Sequence, residues 1–188
     1  MIKKEIRILG IDDSPFNKFK DKKILIVGTI YRGGEFMDGL ISTYAEVDGK
    51  DSTEKIIEMI RKTKHRPQLR AIMLKGVAVG GFNVIDIQQL NKKTGISVIV
   101  VMKTKPDFEK IQKALENLKD GKERMELIKK AGAIVKSGHL YVQCAGISGR
   151  ELSELLKITC THGKVPEPIR VAHLIASGIV LGESRGRA

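Results

Sequence analysis

The order of apolar segments constrains this chain of 188 residues more than any other feature. Glu5 to Ile11 and Lys23 to Tyr31 are patterned as strands, the second rich in Ile, Val and Thr, with the polar stretch Asn17 to Lys22 between them. Gly33-Gly34 marks a turn and Met37 to Val47 alternates as a third strand, so the chain opens with an antiparallel meander. Asp51-Ser52-Thr53-Glu54 has the form of a capping box. The helix behind it carries an apolar stripe of Ile56, Ile57 and Ile60, and Pro67 ends it. Leu69 to Leu74 and Ile96 to Val101 are short apolar strands separated by a glycine-rich turn and a helix from Val84 to Lys93, the order of a parallel crossover. Asp107 to Ala131 is helical and heavily charged, interrupted at Asp120-Gly121. Ala133 to Lys136 and His139 to Gln143 are strands about a Ser137-Gly138 turn. Ser148 to Glu151 forms a second capping box before a helix with Leu152, Leu155 and Leu156, and Pro166-Glu167-Pro168 opens the last helix.

This order predicts one α/β domain over residues 1–188: a ribonuclease H-like mixed sheet, an antiparallel meander followed by parallel strands, flanked by helices. A dinucleotide-binding fold would need a glycine loop after the first strand. Here that strand runs into Asp12-Asp13-Ser14-Pro15, which offers carboxylates where a pyrophosphate needs backbone donors.

Composition narrows the partners. The hydrophobic content of 41% supports a core without staples, while aromatics make up only 4% and Trp is absent, so stacking platforms for bases are few. The net charge of +12 points to a polyanion, DNA or RNA, whose condensed counterions a basic surface releases. A Lys/Glu-rich surface of the thermophile kind accounts for the same charge, because the cations are spread along the chain. Cys144 and Cys160 form neither a metal-ligand spacing nor a disulfide framework and read as buried free thiols. Met1 to Glu5 contains no apolar signal segment and the longest apolar runs are strand-sized, so we expect a cytoplasmic protein with no membrane span. Oligomeric state is not legible.

Several residues carry candidate chemistry. Asp12 ends the first strand, where a carboxylate can bind the magnesium ions of a two-metal nuclease; alternation along the strand sends Asp13 to the other face. Asp48 and Asp51 lie where the third strand passes into the first helix, although Asp48-Gly49 is equally a turn and Asp51 a helix cap. In Lys75 to Asn83, Gly80 and Gly81 let the backbone approach a phosphate, and Asn83 or Asp86 projects from the start of the next helix. His173 sits among apolar residues of the last helix, as a core side chain or a base. Arg185 and Arg187 near the end are candidates for a phosphate or a partner carboxylate.

The chain resembles uncharacterised archaeal proteins, a domain of unknown function in the endonuclease V-like group, over nearly its whole length. Gly10-Ile11-Asp12-Asp13-Ser14, Glu46-Val47-Asp48-Gly49, Gly80-Gly81-Phe82-Asn83 and Pro166 to His173 carry that resemblance. Endonuclease V itself is more distantly similar: its Gly-Val-Asp motif resembles Gly10-Ile11-Asp12, and its Leu-Pro-Glu-Pro-Thr-Arg-Leu-Ala motif resembles Val165 to Ala172. The resemblance implies a ribonuclease H-like fold and Asp12 as a magnesium ligand. The family's second aspartate falls on Lys75, whose ammonium cannot ligate magnesium. The family's glutamate has no clear match, which leaves Asp48 or Asp51 as substitutes, and its Pro-Tyr-Ile-Pro wedge is not visible. Two readings follow. The first is a nucleic-acid-binding protein with a degenerate or altered metal site, in which Lys75, Gly80, Gly81, Asn83 and Arg170 contact the ligand. The second is an active magnesium-dependent nuclease with Asp12, Asp48 and Asp86 as metal ligands and Asp51 and His173 in support.

Overall fold

Apolar residues on both faces of the second strand bury it at the heart of the opening meander. In a computed structural model that describes residues 2–186, β1 (Arg7–Asp13), β2 (Lys23–Arg32) and β3 (Phe36–Glu46) pair antiparallel. Arg187 lies outside the described residues. After α1 (Ser52–Lys62), β4 (Leu69–Lys75) pairs parallel to β1. A small hairpin of β5 (Ala78–Val79) and β6 (Asn83–Val84) and the helix α2 (Ile87–Thr94) lead to β7 (Ser97–Met102), parallel to β4. Helices α3 (Phe108–Leu115) and α4 (Gly121–Lys130) follow, then β8 (Val135–Ser137) and β9 (Leu140–Ala145). The chain closes with α5 (Gly149–Thr159) and α6 (Glu167–Leu181). The 7-stranded sheet has the order β3-β2-β1-β4-β7-β9-β8. This is the anticipated mixed sheet, with the last hairpin adding an antiparallel edge.

Alternation along the strands divides the core. On one face Leu9, Ile11, Ile24, Ile26 and Ile72 pack against Ile56, Ile57 and Ile60 of α1 and Leu90 of α2. On the other, Ile8, Ala71, Met73, Ile99 and Val101 pack against Leu152, Leu155 and Leu156 of α5 and Ile169 of α6. Gly10 lets α6 approach this second face closely. A Cβ on Gly10 would come within 2.5 Å of Pro168 Cβ, and the Thr29 hydroxyl donates to Pro168 O at 2.7 Å. The missing side chain thus seats the first turn of α6 directly on β1 and β2.

Local patterns and observed caps differ in one place. Ser148 and Glu151 form the expected capping box on α5. Asp51 makes no side-chain cap on α1, because its carboxylate accepts from the Asn83 amide group at 2.7 Å and from the Glu46 N–H at 3.1 Å. The Ser52 N–H at the start of α1 is instead satisfied by Asn83 Oδ1 at 3.0 Å. Cys144 and Cys160 are free and half-buried rather than fully buried. Among the described residues, no helix is long and apolar enough to cross a membrane.

Candidate functional site

Parallel pairing aligns Ile11 of β1 with Leu74 of β4, so the next residues, Asp12 and Lys75, emerge side by side at the carboxyl ends of the two strands. Such a strand-end crevice is the common ligand-binding position in α/β sheets. The seated α6 brings His173 over them. Lys75 Nζ donates to Asp12 Oδ2 at 3.0 Å and lies 3.0 Å from His173 Nδ1, which is itself 2.8 Å from Asp12 Oδ2. Asp12 is 3% exposed, the His173 side chain 12% and that of Lys75 32%, so the ammonium is the member open to solvent.

Burial and charge act against one another here. Desolvation raises the Asp12 carboxyl above its usual range, opposed by the positive charge and hydrogen bond of Lys75. Desolvation lowers His173, and the nearby charges of Lys75 and Lys103 lower it further, which keeps the imidazole neutral at pH 7. A single imidazole nitrogen cannot donate to Asp12 and accept from Lys75 at once, and among the described residues the buried His173 Nε2 finds no well-formed hydrogen bond. Nδ1 therefore serves one of the two partners at a time.

Asp13 points to the opposite face, as alternation requires, and accepts from the Gly80 N–H at 2.7 Å. Burial pushes its carboxyl up to about 6, and the neighbouring Asp12 charge adds to the rise. The Asp48 carboxylate accepts from the Phe82 N–H at 2.8 Å, and the Asp48 N–H donates to Gly80 O at 2.8 Å. Gly80 and Gly81 both take positive φ, and a Cβ on Gly81 would overlap the Asp48 carboxylate. The composition of the glycine-rich turn predicts amides offered to a phosphate. Its Gly80 and Phe82 amides are instead taken by carboxylates of the protein itself.

The other expected ligands are engaged away from Asp12. Asp51 and the fully buried Asn83 tie β3 to α1. Asp86 caps α2 by accepting from the Gln89 N–H at 3.0 Å and pairs with Lys130 Nζ at 2.5 Å. The Arg170 fork grips Glu167 through two hydrogen bonds of 2.8 and 2.7 Å. The structure brings together Asp12, Lys75 and His173 and does not add Asp48, Asp51 or Asp86 to them.

This donor set does not fit a divalent cation. Magnesium takes oxygen ligands at roughly 2.0–2.1 Å, and the open side of Asp12 Oδ2 faces an ammonium. Among the described residues, no group of three or more His, Cys, Asp or Glu side chains is disposed to hold a metal ion. Lys75 supplies the positive charge in that place.

Residue types alone missed two contributors. Arg124 of α4 is buried and donates to the Gly49, Phe82 and Asp48 carbonyls, clamping the Asp48 turn to the glycine hairpin; its only sequence signal is the spacing to its ion-pair partner Asp120. Beside Lys75 a cleft of about 260 Å³ is walled by Gly76, Val101, Met102, Lys103, Val165 and Ile169. These residues come from three separate segments, so no contiguous motif announces the cleft.

A family model described as endonuclease dU matches residues 4–180. A UPF0215 protein of Methanosarcina mazei is 49% identical over 193 aligned residues, covering 100% of this chain and 97% of that protein. The crystal structure of a protein of unknown function from Archaeoglobus fulgidus is 42% identical with a TM-score of 0.86, covering 92% of this chain and 97% of that one. Endonuclease V of Ciona intestinalis, crystallised with a 24mer DNA containing an inosine, is 13% identical with a TM-score of 0.61, covering 94% of this chain and 86% of that one. At that identity the likeness is one of fold, and it agrees with the ribonuclease H-like sheet expected from the order of elements.

Proposed function

We propose, from the premise that this chain belongs to the endonuclease dU family, that it binds nucleic acid and acts on DNA at deoxyuridine, with Asp12, Lys75 and His173 facing the backbone. The observation that carries this reading is the Asp12–Lys75–His173 cluster beside an apolar cleft of about 260 Å³. That volume lies below the range of drug-sized ligand pockets and suits a single base turned out of the stack. Val101, Met102, Val165 and Ile169 give the base apolar walls, while Lys75 and Lys103 stand where its phosphate would pass. The Lys75 ammonium, the member open to solvent, balances phosphate charge, and His173 positions it through Nδ1. Asp12 holds both in place.

The second reading, a magnesium-dependent nuclease, draws on the buried Asp12 carboxyl at the end of β1, which desolvation raises above its usual range. A bound cation would lower it, but requires Lys75 to leave Asp12.

The test is binding and incision of a duplex carrying one deoxyuridine, beside the thymidine duplex, with EDTA and with magnesium. Preferential binding that survives EDTA, with incision lost in Lys75→Met and in Asp12→Asn, is the expected result. Equal binding of the two duplexes removes deoxyuridine recognition. Incision by wild type only with magnesium, kept in Lys75→Met, transfers the site to the carboxylates.

A further inference from the structure

We propose that Phe19 is a nucleobase-stacking residue and that the β1–β2 loop carrying it, with Lys18, Lys20 and Lys22, grips single-stranded or opened DNA at the same end of the sheet as Asp12. This rests on the nucleic-acid reading above and adds a second contact that the cluster and its cleft do not contain.

Phe19 is 95% exposed, whereas the next most exposed large hydrophobic side chain, Ile179, is 61% exposed. Its exposure is built in by the loop. At the base the Ser14 N–H donates to Leu25 O at 2.8 Å, and the Leu25 N–H donates to Ser14 Oγ at 3.2 Å. Phe16 then packs against the core. At the tip Asn17 Oδ1 accepts from the Phe19 N–H at 2.9 Å, Asn17 O accepts from the Lys20 and Asp21 N–H groups, and Asp21 Oδ2 accepts from the Asn17 N–H at 2.7 Å. These bonds close a tight turn that holds the backbone of Phe19 at its crest, so the ring is presented with little loop entropy left to lose.

Its surroundings decide the ligand. The loop leaves β1 immediately after Asp12 and Asp13, which places it at the site end of the sheet. Lys18 Nζ lies 3.6 Å from Asp48 Oδ2, linking the loop to the glycine hairpin that Asp13 holds. From Lys18 to Lys23 every residue is exposed, and apart from Phe19 all are charged, with four lysines against one aspartate. A protein-docking patch would be a contiguous apolar area. One ring among cations matches the face of an unpaired base between its phosphates. In a chain with no Trp and 4% aromatic residues, a ring left wholly in water is conspicuous.

The absence of Trp makes the test direct, because Phe19→Trp creates a sole tryptophan. That variant is titrated with a single-stranded oligodeoxynucleotide and with the deoxyuridine duplex. Quenching of its emission on binding, with protection from iodide, is expected. Phe19→Ala should weaken binding about 5- to 150-fold with an unchanged Tm and an unchanged salt slope. Lys20→Ala should lower the salt slope by about one. Unchanged emission from the Phe19→Trp variant together with wild-type affinity in Phe19→Ala overturns the stacking role while DNA binding by the wild type still stands. No binding of either DNA by the wild type at low salt overturns both.

Discussion

Asp13 is the residue whose protonation reaches furthest into the site region, since it both neighbours Asp12 and holds the Gly80 N–H. Its folded-state pKa, pushed up to about 6 by burial, exceeds that of the unfolded chain, so the folded protein binds this proton more tightly. The stability it contributes is complete below about pH 4 and is lost as pH rises through about 6. Asp13→Asn keeps an acceptor for Gly80 but cannot ionise. The stability of wild type relative to this variant, from urea unfolding, should therefore fall between about pH 4 and pH 7. Parallel curves would mean that the Asp13 carboxyl ionises alike in the folded and unfolded chain. Asp12 was legible as a candidate from its place at the end of an apolar strand and from the resemblance to the endonuclease V motif. Lys75 was legible as an obstacle to magnesium but not as the bridge between Asp12 and His173, because that role depends on where a helix nearly a hundred residues later comes to rest.

At the scale of elements, the site depends on how closely α6 lies on β1. Gly10 is the feature that permits it, and Gly10→Ala should destabilise the fold by about 1–3 kcal/mol because the new methyl meets Pro168 backbone, which cannot swing aside. It should also draw His173 off Asp12 and shift the imidazole back towards its ordinary pKa, followed by NMR titration. A variant with unaltered His173 titration would mean that α6 is held in place by its contacts further along. The elements themselves were largely readable. Strand alternation, the proline at the start of α6 and the Ser148 box all act within a few residues. The Asp51 box failed because Asn83, from a different segment, competes for the same groups with better geometry.

For the whole molecule, the net charge of +12 predicts a salt-dependent association with DNA. Affinity measured by fluorescence anisotropy should drop about tenfold or more between about 50 and 200 mM salt. A flat dependence would make the charge a feature of surface composition alone, as the thermophile reading has it. The mixed sheet, an antiparallel meander followed by parallel strands flanked by helices, followed from the order of apolar segments, since burial of periodic stripes admits few arrangements. Sequence by itself determined the elements other than the β5–β6 hairpin, their order and the strand-end position of Asp12, because each arises from local patterning. Only the tertiary structure decided that Lys75 and His173 surround that carboxylate while Asp48, Asp51 and Asp86 do not join them, and that carboxylates of the chain already engage the glycine-turn amides. Those outcomes rest on contacts between distant segments, where a shift of a few ångströms settles which polar group finds which partner.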